Sequence, residues 1–272
     1  MYATVNSVRL AYRDRGQGRP IVLLLIHGFP LDHRMWDAQL AGLADQARVI
    51  APDLRGFGRS AAALAGPLTM DQHADDLAGL LDHLAIERAV VAGLSMGGYI
   101  AFAFWRRHRE RVQGLVLADT RAERDSPQAQ ANRDASAVKV REAGVAALAG
   151  DMLPRLLAPA TLAPASLAQP RLVERMRAMM ADQPADTVIA ALAGLRDRPD
   201  SRPTLPTVAV PTLVLAGEHD ALTPPADASA MAAAIPGARL VAIPGAGHMS
   251  PLEKPRAVNA ALRGFLREVE TK

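Results

Sequence analysis

The segment Gly93-Leu94-Ser95-Met96-Gly97 is a candidate site for a nucleophilic serine, because it joins the apolar run 89–92 to a stretch of helical character. A Gly-x-Ser-x-Gly at a strand-to-helix junction predicts a tight turn that raises the serine hydroxyl above a sheet. The two glycines of the motif leave room for this turn, and Gly98 adds more. The free amides at the start of the following helix would favour negative charge beside Ser95. The chemistry indicated is attack by Ser95 on a carbonyl group.

His248 is the predicted general base, because a serine hydroxyl is a poor nucleophile without one. In sites built on this type of turn, the acid and then the histidine follow the serine along the chain. Of seven histidines, only His219 and His248 lie well downstream of Ser95. His248 ends the glycine-rich segment 244–248, directly after the apolar run 240–243. A histidine on such a loop has the exposure and mobility that proton transfer requires.

Two aspartates could orient His248 as the third member of the site. Asp220 follows the buried-looking run 211–216, so it would lie beside the loop that carries His248 if the two strands are neighbours. Glu218 is two residues closer to that strand and is the weaker choice. Asp119 follows the apolar run 114–118 and is the alternative acid. We predict that Asp220 is the acid.

The oxyanion of a tetrahedral intermediate requires preorganised donors, which in this arrangement are two backbone N–H groups. One belongs to Met96, the residue after the nucleophile. The other comes from the loop after the apolar run 21–26, where Phe29 is the natural candidate. His27 lies in the same loop, but it precedes the serine and is interpreted as a structural residue.

Taken together, these motifs resemble the α/β-hydrolase superfamily, and most of all its bacterial carboxylesterases and 3-oxoadipate enol-lactonases. A serine at position 95 disfavours the haloalkane dehalogenases and epoxide hydrolases, which use an aspartate there. The resemblance extends from about residue 8 to about residue 268 and rests on five segments in the same order: His27-Gly28-Phe29-Pro30, Pro52-Asp53-Leu54-Arg55-Gly56-Phe57-Gly58-Arg59-Ser60, Gly93-Leu94-Ser95-Met96-Gly97-Gly98, Gly217-Glu218-His219-Asp220 and Gly245-Ala246-Gly247-His248.

The resemblance implies an α/β fold: a mostly parallel eight-stranded sheet with helices on both faces and a helical cap insertion. The core would comprise residues 1–120 and 203–272, and the cap residues 121–202. Strand-like runs alternate with helical patterns over most of the chain, which agrees with this fold class. The alternation stops at about residue 121 and returns at about residue 203, and only helical periodicity is found between them.

The helical stretch 121–202 is expected to roof Ser95 and to set the range of substrates. Trimming Leu153 or Met179 would then change the preferred acyl length. Most of its apolar residues should pack against the core, and a few should line a mostly aliphatic pocket; the apolar stripes comprise Leu153, Leu156, Leu157, Met176, Met179 and Met180.

The predicted activity is hydrolysis of short-acyl, uncharged carboxylic esters by a serine carboxylesterase through an acyl-enzyme. Two alternatives remain open. An enol-lactonase would use the same three residues on an anionic lactone. A non-catalytic member of the fold would bind its ligand without turning it over. The expected partners are a small ester and water.

Composition and short motifs argue against several other classes of protein and of site. The 272 residues are 50% hydrophobic, enough for a single core with an insertion, and there is no cysteine for a disulfide or a thiolate nucleophile. The net charge of +3 is small, so nucleic-acid binding is not expected. Neither a signal peptide nor an apolar run of membrane-spanning length is apparent, so a cytoplasmic protein off the membrane is predicted. Segment 52–60 lacks the lysine of a phosphate-binding loop, and no metal or other cofactor is expected.

Overall fold

The computed structural model describes residues 1–60, 64–163 and 170–271 of the chain. Within these residues, eight strands form one sheet in the order β1-β2-β4-β3-β5-β6-β7-β8. Strands β1 and β2 form an antiparallel hairpin, β2 is antiparallel to β4, and the remaining neighbours are parallel. The strands are β1 (Tyr2–Val5), β2 (Val8–Arg15), β3 (Val22–Ile26), β4 (Arg48–Pro52), β5 (Ala89–Leu94), β6 (Val112–Ala118), β7 (Thr212–Gly217) and β8 (Arg239–Ile243).

Apolar residues on successive positions of the central strands explain why helices cover both faces of the sheet. In β3, Leu24 and Ile26 belong to one apolar cluster, whereas Leu23 and Leu25 belong to a second cluster on the opposite face. Side chains alternate between the faces of a strand, so a fully apolar strand must be covered on both sides. The predicted fold class is therefore confirmed.

Six helices outside the region between β6 and β7 provide this cover among the described residues. Helices α2 and α3 contribute to the first cluster, and α1 and α10 contribute to the second. The Thr69 hydroxyl caps α2 by accepting a hydrogen bond from the Gln72 amide at 3.1 Å. These helices are α1 (Asp37–Gly42), α2 (Met70–His83), α3 (Met96–His108), α8 (Pro225–Ala234), α9 (Ser250–Glu253) and α10 (Pro255–Glu270).

The chain between β6 and β7 forms a helical segment, here called the helical insertion, in which the described residues include no strand. Its helices are α4 (Pro127–Leu156), α5 (Pro159–Leu162), α6 (Pro170–Ala181) and α7 (Ala185–Arg196). Helix α4 has two arms, because Gly144 has φ 78° and ψ 170° and interrupts the helical backbone. The first arm precedes Gly144 and the second follows it. No helix in the described part of the chain is long and apolar enough to cross a membrane.

Candidate active site

Ser95 lies on a sharp turn between β5 and α3, with φ 55° and ψ −114°. Few non-glycine residues adopt a positive φ, and such strain is often found at functional sites. A Cβ atom on Gly93 would lie 2.0 Å from the carbonyl oxygen of Gly97, and one on Gly97 would lie 2.3 Å from that of Ile26. The turn can form only because these two positions lack side chains.

His248 and Asp220 form a buried pair on the loops after β8 and β7. Nδ1 of His248 lies 2.8 Å from Oδ2 of Asp220. The Asp220 carboxylate also accepts hydrogen bonds from the Leu222 amide at 2.8 Å, the Thr223 amide at 3.0 Å and the Thr223 hydroxyl at 2.6 Å. These donors hold the loop around an ionised carboxylate. The carboxylate in turn favours the His248 tautomer whose Nδ1 carries the proton, which frees Nε2 to act as a base.

The pKa of Asp220 is governed by two opposing effects. Burial raises the pKa, but the hydrogen bond and charge of His248, together with the Thr223 donors, outweigh it. The net result is a pKa below the ordinary value for aspartate. Asp220 is therefore ionised at neutral pH, as an orienting acid must be.

Ser95 and His248 line one cavity of about 500 Å³, here called the central cavity. Phe29 and Met96 line it as well, so all four residues converge on the same space. Neither the Phe29 nor the Met96 backbone N–H donates a hydrogen bond to another group in the described ranges. The Met96 amide is free because it begins α3, where the first N–H groups have no partner within the helix. The two amides are available to an oxyanion.

Asp119, the alternative acid, does not contact His248 through a hydrogen bond. Its Oδ1 accepts from the Gly217 amide at 2.7 Å, and its Oδ2 accepts from the Ser250 hydroxyl. Burial, and next the negative charge of Asp220, raise the pKa of Asp119 to about 7. Of the two aspartates, only Asp220 makes the hydrogen bond to Nδ1 that orients the ring.

The structural interpretation of His27 is supported by its surroundings. The ring is buried, its Nε2 accepts a hydrogen bond from the Leu54 amide at 3.0 Å, and its Nδ1 lies 2.9 Å from the Gly28 carbonyl oxygen. Burial lowers its pKa, against smaller effects that raise it. His27 therefore connects the loop after β3 to the loop after β4 as a neutral ring.

Three titratable residues from the loops after β3 and β4 lie close together. Asp32, His33 and Asp53 bring ligand atoms within 4.8 Å of one another. Asp32 is already bound by Arg34 and by the Gln183 amide group, and Asp53 accepts from both the backbone and the ring of His33. These bonds between loops account for the cluster.

The apolar residues that face the central cavity differ in part from those expected. Leu156 lines it, whereas Leu153 and Met179 are buried in packing and are not among the residues that line it. This placement therefore does not support Leu153 or Met179 as residues that shape the pocket. Helical periodicity identifies the apolar face of each helix, but it does not show whether that face meets the core or the cavity. The other apolar residues of the insertion in the wall are Ala129, Ala135, Leu148, Met152, Leu192 and Leu195.

Charged side chains also line the central cavity. The expectation of a mostly aliphatic pocket is therefore only partly correct. Arg133 pairs with Asp125 at 3.1 Å, and Lys139 on the first arm of α4 pairs with Asp151 on the second. Arg155 has no ion-pair partner among the described residues. The charged side chains that line the cavity are Arg121, Asp125, Arg133, Lys139, Asp151 and Arg155, four positive and two negative.

Sequence reasoning missed Thr223, whose hydroxyl donates to Asp220 and lies 3.3 Å from Nδ1 of His248. A signal was present, because an aspartate followed three residues later by threonine often forms a turn closed by local hydrogen bonds. Glu253 was missed as well. Its carboxylate accepts from the Gly247 amide at 2.8 Å and the Ala158 amide at 2.9 Å, so it joins the His248 loop to the helical insertion.

Comparison with known proteins agrees with this geometry. A family model described as the alpha/beta hydrolase fold matches residues 21–255. The chain is 31% identical over 264 residues to 3-oxoadipate enol-lactonase 2 of Acinetobacter baylyi, covering 97% of this chain and 95% of the relative. The chain belongs to the α/β-hydrolase fold family, as predicted.

Two solved structures are similar over nearly their whole length. One is a thermophilic esterase from Thermogutta terrifontis, solved with malate bound, which superimposes on this chain with a TM-score of 0.92 and 46% sequence identity. The match covers 99% of this chain and 98% of the esterase chain. The enol-lactonase from Burkholderia xenovorans LB400 has a TM-score of 0.90 and 34% identity, covering 98% of this chain and 100% of its own. Both neighbours support hydrolase activity for this chain.

Proposed function

We propose that this protein is a serine hydrolase of carboxylic esters, with Ser95 as nucleophile, His248 as base and Asp220 as orienting acid. One observation carries the proposal: Ser95, on its strained turn, shares the central cavity with His248, whose Nδ1 lies 2.8 Å from Asp220. The esterase and enol-lactonase neighbours support the same class of reaction.

In the first half of the reaction, Nε2 of His248 takes the proton of Ser95 as its Oγ attacks the ester carbonyl carbon. The N–H groups of Phe29 and Met96 donate to the oxyanion. His248 then gives the proton to the departing alkoxide oxygen, and the carbon–oxygen bond breaks. The alcohol leaves, and the acyl group remains on Ser95.

In the second half, His248 takes a proton from a water molecule, whose oxygen attacks the acyl carbon. The same two amides hold the second oxyanion. His248 then returns the proton to Oγ of Ser95 as the acyl–serine bond breaks, which releases the carboxylic acid. Asp220 stays ionised throughout and stabilises the imidazolium form of His248.

A panel of p-nitrophenyl esters from acetate to octanoate tests this activity. We expect steady turnover of the acetate and butanoate esters, with a burst of p-nitrophenol where deacylation is the slower step. Absence of turnover on all esters, with intact folding by circular dichroism, would instead favour a non-catalytic member of the fold that binds its ligand.

We further propose that residues 121–202 act as a cap over a core of residues 1–120 and 203–272. Much of the wall of the central cavity comes from this insertion. The cap, rather than the core, would then determine which acyl chains fit, because its apolar side chains occupy much of the space around the cavity. The native enzyme would prefer short acyl chains.

Leu156 and Leu153 offer a matched test of the cap, because both are buried leucines of the second arm of α4 and only Leu156 lines the cavity. We expect Leu156→Ala to raise the octanoate-to-acetate ratio of kcat/KM about tenfold, since it adds room for methylene groups. Leu153→Ala should leave that ratio unchanged. Each variant should lose about 2–5 kcal/mol of folding free energy, which thermal unfolding would show. A wild-type acyl-length profile that is already flat and that neither variant changes would contradict selection by the cap.

The charged wall favours a second candidate, hydrolysis of a lactone or ester that carries a carboxylate. The charges that line the cavity sum to +2, from four cations and two anions, and Arg155 has no ion-pair partner in the described ranges. One relative is named an enol-lactonase, and the thermophilic esterase was solved with malate, a dicarboxylate. A carboxylate on the substrate would complete the charge pairing at Arg155.

Replacing Arg155 with glutamine separates the two candidates. If the substrate carries a carboxylate, Arg155→Gln should lower kcat/KM for a monoester of a dicarboxylic acid about tenfold and leave that of a neutral ester of equal length unchanged. Arg177→Gln, on α6 and outside the cavity, is the matched control. Equal effects of Arg155→Gln on both esters would favour the uncharged substrate.

A further inference from the structure

Asp119 and Thr120 directly follow β6 and lie among the three loops that carry Ser95, Asp220 and His248. Asp119 has φ 46°, a positive value like the 55° of Ser95 on the neighbouring strand end. Asp119 and Thr120 are both buried. Two strained turns therefore lie side by side at the ends of the paired strands β5 and β6.

Thr120 holds the backbone of Ser95. Its hydroxyl donates to the Ser95 carbonyl oxygen at 2.8 Å, and the Ser95 amide donates to the Ala118 carbonyl oxygen at 3.0 Å. A Cβ atom on Gly98 would lie 2.5 Å from the Thr120 hydroxyl oxygen. Gly98 thus lets Thr120 reach the turn, and the end of β6 binds both the N–H and the C=O of Ser95.

Asp119 binds the other two loops. Its Oδ1 accepts from the Gly217 amide, three residues before Asp220, at 2.7 Å. Its Oδ2 accepts from the hydroxyl of Ser250, two residues after His248, at 2.5 Å. One buried carboxylate therefore connects the loop after β7 to the loop after β8.

Asp119 also brings a charge that changes near neutral pH. Burial and the charge of Asp220 raise its pKa to about 7, against lowering by His248 and by the two hydrogen bonds. The titratable groups that face it are Asp220, from the loop after β7, and His248, from the loop after β8. Above this pKa it adds a negative charge near the His248 ring. Below this pKa the carboxyl group is protonated, and its O–H can donate a hydrogen bond to the Ser250 hydroxyl oxygen, which reverses the direction of that bond.

We propose that Asp119 and Thr120 are positioning residues for the active site, Thr120 acting through the Ser95 backbone and Asp119 through Gly217 and Ser250. This inference rests on the proposed function, since it assigns what the two residues do for the reaction of Ser95. It explains why a buried carboxylate lies beside the Asp220–His248 pair without a hydrogen bond to the ring.

The Thr120 variants test the link to Ser95. We expect Thr120→Val to lower kcat for p-nitrophenyl acetate about tenfold with KM within about twofold, because a misplaced nucleophile slows chemistry more than binding. Thr120→Ser keeps the donor and should retain kcat within about twofold. The rate at which a fluorophosphonate modifies Ser95 should follow the same order. Circular dichroism and thermal unfolding verify that each variant is folded.

The Asp119→Asn variant tests the charge, because asparagine can still accept from Gly217 and can donate to Ser250. We expect the acid limb of the kcat/KM profile to move to lower pH by only about 0.1 to 0.3 unit. The direction follows because asparagine removes the negative charge near His248, and the shift is small because Asp119, with a pKa of about 7, is already mostly uncharged over that limb. Titration of the His248 ring by NMR should show a shift in the same direction. A residue with a purely structural role would reduce stability and leave both midpoints in place.

The outcomes separate this inference from the proposed function. A wild-type protein that reacts with the fluorophosphonate at Ser95 but hydrolyses no ester would overturn the proposed function; the modification rates and the His248 titration would still decide the roles of Thr120 and Asp119. Wild-type modification rates in folded Thr120→Val, or an unmoved His248 midpoint in Asp119→Asn, would overturn the role of the residue concerned.

Discussion

Replacing Ser95 with alanine is expected to lower the rate of ester hydrolysis by about 10⁴- to 10⁶-fold, the loss seen when a serine nucleophile of this type is removed. The chain contains no cysteine that could substitute for it. The small residual rate would come from the Phe29 and Met96 amides and from binding alone. Initial rates on p-nitrophenyl acetate, at high enzyme concentration, measure the loss.

Ser229→Ala is the matched control for this variant, because Ser229 is an exposed serine on α8 outside the central cavity. It should retain wild-type turnover. Alanine also removes only one oxygen atom from Ser95, so Ser95→Ala should keep the thermal stability of the wild type or gain some. A Ser95→Ala protein with a tenth or more of wild-type turnover would show that another group attacks the ester.

Replacing Asp220 with asparagine is expected to lower kcat by about 10³- to 10⁴-fold, because His248 loses both its orienting charge and the control of its tautomer. Asp119→Asn, the same change at the neighbouring carboxylate, should cost less than about tenfold. The contrast arises from one contact: Nδ1 of His248 lies 2.8 Å from Asp220, whereas Asp119 binds Gly217 and Ser250.

The pH dependence of the wild type offers a second check on Asp220. The pKa of this carboxylate is lowered in the folded protein, so it should remain ionised through the acid limb of the kcat/KM profile. That limb should therefore not follow protonation of Asp220. If Asp119→Asn proves the more damaging of the two variants, the acid would have to be assigned to the end of β6.

Much of the fold was predictable because the core strands can be identified from a few consecutive residues. The runs that became β3, β5 and β7 are apolar at successive positions, which is typical of strands covered on both faces. The turn at Ser95 was equally predictable. A side chain at Gly93 or Gly97 would clash with residues near the serine or with the adjacent strand, so the motif itself indicates the turn.

The choice between Asp220 and Asp119 could not be made from local sequence alone. Both residues lie within three residues of the end of an apolar strand, and β6 and β7 are neighbours in the sheet. What separates them is the path of each loop: the turn after β7 carries Asp220 to the His248 ring, whereas Asp119 has a positive φ and binds Gly217. The residue types in these loops do not show which path each loop takes, so they do not show which aspartate contacts His248.

The charged wall of the central cavity was also beyond local reasoning. Arg133 and Lys139 lie on the first arm of α4, and Asp151 and Arg155 lie on the second. They face one cavity only because the helix bends at Gly144. A helical pattern predicts which residues share a face of one arm, but it cannot predict how two arms are rotated against each other.

The most direct test of Ser95 as the nucleophile is covalent labelling followed by mass spectrometry. The protein is treated with a fluorophosphonate until ester turnover ceases, and the intact mass and the peptides are measured. We expect one adduct per chain, located on Ser95, with activity lost in proportion to the labelled fraction and with no adduct on Ser95→Ala. Full turnover by a protein labelled completely at Ser95, or loss of turnover with Ser95 unmodified, would contradict its role as the nucleophile.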